Sequence, residues 1–530
     1  MIYVVGSGPA GISAAVALLE RGKRVTMLDA GTDLEPARQA VVARMQGQPW
    51  HDWADEDVAA LKEGMTPSSK GVPVKYAYGS DFPYRDGTDS FPLIKHGVDT
   101  SPSLARGGLS NVWGASLLPY RAEDMEGWPL AIEDLVEHYR SVFSFMNLSG
   151  TWDCLADLFP LYAERPQPLQ ASEQARALLN EFAQHREALR SAGVRFGQSR
   201  LAVRAMPEGD QPGCAYCGLC MYGCPYGLIY SSTSTLPRLQ ANERFAYIGG
   251  VVVETVREVP GGVTIEGRSR VTGEALRWKG DRVCLACGTI MTTRVLLASL
   301  EAYDRPVRLA DSQYFMFPLL RFRKSGCARQ ERLHTLSQVF LEILDDTVSR
   351  PTVHLQLYTY NEMFLGAMKA MVGPLFPVLK WPVHQMVERM ILAQGFLHSD
   401  LSPFIEVVLN HPQEGRPGVL QLHGRVREVD TRAIIRRVVE KVRQQSLHLK
   451  AMPVGRMLQI AQPGRSFHSG GSFPMRRRPA EFESDLLGRP RGLERVHAVD
   501  STVFPSIPAT TITLTVMANA HRIGQEVGAG

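Results

Sequence analysis

The chain opens on a short apolar run, Ile2-Tyr3-Val4-Val5, broken at once by glycines and followed by an apolar-rich stretch over residues 12–21. Apolar run, glycine turn and helical spacing in that order predict a strand, a turn and a helix. Arg24-Val-Thr-Met-Leu-Asp29-Ala-Gly31 then predicts the second strand of a βαβ unit. Over residues 32–103 no period is sustained and Gly, Pro and Asp are frequent, which predicts a surface excursion with short elements. A glycine-rich turn returns at Arg106-Gly-Gly-Leu-Ser-Asn-Val-Trp-Gly114, and residues 131–139 predict a helix after it. Residues 245–266 alternate as strand and hairpin do, and Arg282-Val-Cys-Leu-Ala-Cys-Gly288 predicts a buried strand that ends on glycine and rejoins the first sheet.

From about residue 302 to 463 the texture changes to longer strands and amphipathic helices. In 430–448, Ile434, Ile435, Val438, Val439 and Val442 form one apolar face opposite Arg436, Arg437, Lys441 and Arg443. A chain of 530 residues exceeds the size at which one core keeps growing, so two interleaved domains are expected. The pattern assigns 1–150, 211–301 and 464–530 to an α/β nucleotide-binding domain of Rossmann type. It assigns 302–463 to an inserted α+β substrate domain on an antiparallel sheet, with 151–210 either connecting the two or belonging to the second.

Composition narrows the partners. Hydrophobic residues make up 44% and charged residues 21%, and the net charge is only +4, so nothing points to a nucleic acid or other polyanion. A first strand beginning at Ile2 leaves no room for a secretory signal ahead of the fold, and a cytoplasmic location is expected. The most apolar stretch, 363–382 continuing to 397, is interrupted by Lys369, Lys380 and three prolines, so one spanning helix is not expected. Two readings stay open for it: helices packed into the domain core, or an interfacial lid or apolar channel making peripheral contact with the inner face of a membrane.

Two motifs carry chemistry. In Gly6-x-Gly8-x-x-Gly11 the first glycine permits the tight turn, the second lets the backbone approach a pyrophosphate and the third lets the helix pack close. Asp29, closing the second strand, is placed to accept from a ribose hydroxyl. FAD and NAD share this fingerprint. The second motif, Cys214-Ala-Tyr-Cys217-Gly-Leu-Cys220-Met-Tyr-Gly-Cys224-Pro225, gathers half of the eight cysteines at the spacing of a bacterial ferredoxin loop. A redox cluster, a metal-free structural turn and zinc held by four thiolates are its three readings. Cys154, Cys284, Cys287 and Cys327 stand apart and read as small buried hydrophobes.

Three further segments resemble the glucose-methanol-choline family of flavin oxidoreductases. Ala105-Arg106-Gly107-Gly108-Leu-Ser110-Asn111-Val-Trp-Gly114 is similar to the glycine-rich segment beside the isoalloxazine ring. Phe467-His468-Ser-Gly-Gly-Ser is similar to the segment that carries the family's active-site histidine. His497-Ala-Val-Asp500, running on through Pro508-Ala-Thr-Thr511-Ile-Thr513, resembles the C-terminal strand and loop that return to the flavin. The resemblance implies FAD as cofactor, with Gly288, Asp500 and Thr513 among its contacts. It also implies oxidation of a CH–OH group of a sugar, glycoside or other alcohol by hydride transfer to flavin N5, with His468 as base and a separate electron acceptor.

Two departures qualify it. Thr511 stands where the family places asparagine or histidine, and a threonine hydroxyl cannot act as a base, so proton transfer falls to His468. Val112 stands where the pyranose oxidase branch carries a histidine bonded to FAD, so the FAD is expected to be non-covalent. Cys214, Cys220 and Cys224 also resemble the spacing in the iron-sulfur catalytic subunits of bacterial FAD sugar dehydrogenases, which keeps 3Fe-4S and 4Fe-4S both open. Some long-chain alcohol oxidases of the family carry a similar turn without a cluster. An oxygen-using oxidase of a lipid-like alcohol and a flavin-binding electron relay with little turnover are the alternative functions.

Overall fold

Ile2–Val5 is the central strand of a five-stranded, all-parallel sheet with the order Val496–Ala498, Arg282–Leu285, Ile2–Val5, Val25–Leu28, Phe245–Ile248. The structure is a computed structural model that describes residues 1–64, 74–85, 91–326, 328–413 and 417–529; Cys327 lies outside them. All four positions of Ile2–Val5 and of Val25–Leu28 are buried, as a parallel sheet covered on both faces requires. The sheet is therefore assembled from both ends of the sequence. The helix Pro9–Glu20 packs along the last helix, Thr513–Ala529, where Ser13 Oγ donates to the Met517 carbonyl at 2.7 Å and Gly524 lets the two backbones approach.

A second, antiparallel sheet follows the order Ala451–Pro453, Tyr314–Arg321, Met390–Phe396, Ser349–Tyr358, Val339–Asp345, Val194–Gln198. Its side chains obey the period of two. Phe315, Phe317, Leu355, Leu357, Ile391 and Ala393 point to one face and share a core with Leu178 and Phe182 of one helix and with Ile434, Ile435, Val438 and Val442 of Thr431–Gln444. Each such fully buried large side chain contributes ~1.5–3 kcal/mol. Tyr314, Met316, Gln356, Tyr358, Gln394 and Phe396 alternate with them and face a cavity that also reaches the glycine loops of the parallel sheet.

Three features differ from the pattern read along the chain. Within 32–103 stands a helix of 11 residues, Pro36–Gln46, whose only buried side chain is Met45, so it carries no apolar period to be read. Strands Val307–Asp311, Phe404–Leu409 and Leu420–Arg425 lie inside 302–463, yet Leu309, Ile405, Val407 and Leu422 join the core of the parallel sheet. Leu93–His96 extends that smaller sheet by pairing in parallel with Leu420–His423. Val194–Gln198, from the segment left between the domains, is an edge strand of the antiparallel sheet.

Candidate active site

The Gly6 loop leaves the central strand with φ +102, and a Cβ there would lie 2.4 Å from the Ala286 carbonyl oxygen. A Cβ on Gly11 would sit 1.9 Å from Gly6 O, so the helix packs against its own turn as the third glycine permits. Gly8 differs, because a Cβ there meets nothing within 4 Å: its backbone faces open space at the N-terminus of Pro9–Glu20. The second glycine loop lies against the first. Gly107 N donates to Ser7 Oγ at 2.9 Å, and a Cβ on Gly108 would be 3.7 Å from Gly8 Cα.

Around this cradle, Asn111 Nδ2 donates to the carbonyls of Arg106 and Gly108, and Ser110 Oγ donates to Gly107 O, so the loop is held by its own side chains. Arg106 pairs with Asp33 at 2.8 Å while its buried Nε has no partner among the described residues. Asp29 accepts from Ser7 N at 3.1 Å, Ser7 Oγ at 2.6 Å and Tyr247 OH at 2.9 Å, and burial pushes its carboxyl above the usual range. The carboxylate is thus engaged within the protein. Asp500, also raised by burial, accepts from Thr292 Oγ1 at 2.6 Å beside Gly288, which begins the helix Thr289–Ser299 with φ +79. Thr513 opens the last helix on the same cavity.

The cavity measures ≈ 1240 Å³ and runs from the glycine loops to the antiparallel sheet. His468 lines it, presented by a backbone kink at Phe467, φ +55, just before Ser469–Gly470 pairs with the strand Val307–Asp311. The imidazole stacks on Phe396 with centroids 5.0 Å apart, and its buried Nδ1 has no partner among the described residues. Burial, with His354 nearby, lowers its pKa to about 4, so the ring is neutral at neutral pH.

Thr511 lines the same cavity, yet its Oγ1 accepts from Leu118 N at 2.7 Å and makes no bond to His468. The polar groups nearer the imidazole come instead from strand Ser349–Tyr358, which no motif marks. His354 Nδ1 lies 2.6 Å from Glu342 Oε1 with both side chains fully buried, and Gln356 Nε2 lies 3.2 Å from His354 Nε2. Gln356 Oε1 in turn accepts from Ser116 and from Tyr358. An alternation of polar residues at 354, 356 and 358 was the available signal.

The cysteine loop forms part of the wall, since Met221 and Tyr222 reach the cavity. Its thiols do not form a ligand set: among the described residues no group of three or more His, Cys, Asp or Glu side chains is arranged to hold a metal ion. As the loop stands in the structure, Cys214, Cys217, Cys220 and Cys224 belong to a packed turn. Cys220 Sγ accepts from Thr335 N and Cys224 Sγ from Leu228 N, while Leu219 and Tyr222 pack on Met45 and Leu61. Burial, with the neighbouring cysteines of the loop, pushes the thiols of Cys214 and Cys217 up to about 12, so without a metal they are protonated at neutral pH. Beside the loop, Lys75 Nζ donates to Trp113 O at 3.0 Å, and burial lowers its pKa to about 8. Of the isolated cysteines, Cys284 is buried and Cys287 half-buried at the cavity; Cys154 is not buried but accepts from Arg186 at 2.6 Å.

Residues 4–35 match the family described as NAD(P)-binding Rossmann-like domain. No curated protein matches the sequence. Two solved structures share the fold along the whole chain. One is pyridoxine 4-oxidase from Mesorbium loti, with 14% identity, 99% of this chain and 98% of that chain covered and a TM-score of 0.57. The other is formate oxidase, with 13% identity, 100% and 98% covered and a TM-score of 0.59.

Proposed function

We propose that the protein is an FAD-dependent oxidoreductase that removes a hydride from a CH–OH group, with His468 as the base. The observation that carries this reading is a neutral, half-buried imidazole that lines the same cavity as the open backbone at Gly8. The cradle fits a dinucleotide: the space beside Gly8 admits a pyrophosphate, and the N-termini of Pro9–Glu20 and Thr289–Ser299 offer unpaired amides to it. Gly6, Gly8, Gly107, Gly108, Gly288 and Asp500 would hold the cofactor non-covalently, and Val112 offers no side chain for a covalent link. When bound, FAD supplies the two-electron acceptor for the substrate hydride.

The chain's own part is proton handling and exclusion of water. A substrate hydroxyl in the cavity donates to the accessible edge of the imidazole, and the neutral ring takes the proton as the C–H bond breaks. Phe396 and the sheet fix the ring plane, and Tyr358, Gln356 and Lys75 supply polar contacts on the substrate side. Met316, Met363, Phe364, Leu365, Met368 and Leu392 line the outer part of the cavity, which favours an alcohol with an apolar body over a free sugar.

The test is anaerobic mixing of the FAD-loaded protein with sugars, benzylic alcohols and fatty alcohols while the flavin absorbance is followed. Bleaching by an alcohol supports the reading. Stable yellow colour with every alcohol would favour the electron-relay alternative.

A further inference from the structure

Helices Glu362–Val372 and Phe376–Val387 are joined at Gly373, whose φ of +53 turns the chain. A straight helix would hold Phe364 and Val387 about 35 Å apart at its rise per residue. Both instead belong to one buried cluster with Met368, Val383 and Tyr358, so the segment is a hairpin folded back on itself. Its outer side is bare. Val378 is 82% exposed, Trp381 73%, and Met371 and Leu375 62% each. Exposed large apolar side chains scattered singly are ordinary, but four on one hairpin make a patch that needs an occupant.

Charge identifies that occupant. Between Glu362 and Glu388 there is no acidic residue, and the lysines are Lys369 and Lys380, both exposed, with His384 the other basic group. The two glutamates sit at the feet of the hairpin and are neutralised there, Glu362 by Lys62 at 2.7 Å and Glu388 by Lys324 and Arg329 at 2.5 Å each. The outward end therefore combines bare apolar side chains with lysines only. An apolar surface with Trp beside Lys suits the headgroup boundary of an anionic bilayer, to which each lysine is attracted. The same hairpin walls the cavity through Met363, Leu365, Met368 and Met371, so a surface that covers the patch also covers the way in.

We propose that this hairpin docks the protein on an anionic lipid surface, with the cavity mouth turned toward the bilayer. Docking stands independently of the oxidoreductase reading; delivery of an apolar alcohol from the bilayer rests on it.

The FAD-loaded protein is floated with vesicles of phosphatidylcholine containing phosphatidylglycerol, and with phosphatidylcholine alone. Preferential flotation with the anionic vesicles, with a blue shift of tryptophan emission, supports docking. The double variant Val378→Asp, Trp381→Asp changes two side chains outside the cavity. Partition about tenfold weaker or more is expected, with FAD content unchanged. Lys369→Gln with Lys380→Gln is expected to remove the preference for anionic vesicles. The proposal is overturned if the wild type binds neither vesicle, if the double variant binds as the wild type does, or if the wild type is a dimer in solution that the double variant dissolves. Because binding is read without turnover, loss of docking and loss of alcohol oxidation are separate results.

Discussion

The Asp311 carboxylate accepts from Ser466 Oγ at 3.2 Å, and that same hydroxyl accepts from His468 N at 3.0 Å, so the loop presenting the imidazole rests on a buried acid. Gly464 N adds a bond to Asp311 at 2.7 Å, yet burial still raises the acid's pKa to about 7. The folded form holds its proton where the unfolded chain has lost it. Its stabilisation is full below the ordinary carboxylate range near 4 and is lost as pH rises through about 7. Asp311→Asn should therefore gain stability relative to wild type between pH 5 and 8, by about 2.5 kcal/mol, as read from urea unfolding at the two values. An unchanged difference would show that the acid is ionised throughout.

His468→Ala should lower the rate of flavin reduction by alcohol about 10²–10⁴-fold while FAD remains bound, since the side chain handles the proton and not the cofactor. Stopped-flow reduction and the flavin content of the purified variant check the two halves separately.

The neutral state of His468 sets the pH profile. Its pKa is lowered to about 4, so kcat/KM should stay level from about pH 5 to 8 and fall on an acid limb near 4, below the ordinary histidine value near 6.5. The same shift has a stability consequence of opposite sign to that of Asp311: protons taken up by the unfolded chain below about 6.5 destabilise the fold.

Gly8 and Gly11 separate cofactor binding from folding. Gly8→Ala places a methyl in open space, so the protein should fold with a near-wild-type melting temperature and hold FAD at least about tenfold more weakly. Gly11→Ala drives a methyl to 1.9 Å from Gly6 O and should reduce stability by about 1–3 kcal/mol as well. Calorimetry with and without FAD distinguishes them.

The buried pair Glu342–His354 makes a fifth case. Glu342→Ala leaves His354 buried without its 2.6 Å partner and should cost about 3–5 kcal/mol. The double change Glu342→Leu, His354→Leu should recover much of it, and flavin reduction in that variant reports whether Gln356 still holds its place.

The parallel sheet and its glycine loop were legible because local signals suffice there: four buried positions in a row, a turn only glycine can make and an acid at the next strand's end. The histidine segment was legible as a resemblance. Pairing across the fold was not. Nothing local says that Thr511 Oγ1 meets Leu118 N, or that His354 and Gln356 stand near His468, because those contacts are set by how two sheets face each other. The cysteine run was ambiguous for a related reason. Its spacing suits a cluster, but tertiary packing of Leu219 and Tyr222 decides where the thiols point. The helix Pro36–Gln46 escaped notice because it lies on the surface with a single buried residue.

The contact of Pro9–Glu20 with Thr513–Ala529 orders events during synthesis. The earlier helix waits, with its apolar face uncovered, for a partner that emerges far later in the chain. A nascent chain stalled anywhere before that closing helix carries a complete glycine turn and an incomplete support behind it. Such a partner so distant in sequence makes for slow closure, and the interval is one in which chaperones would find this molecule most exposed.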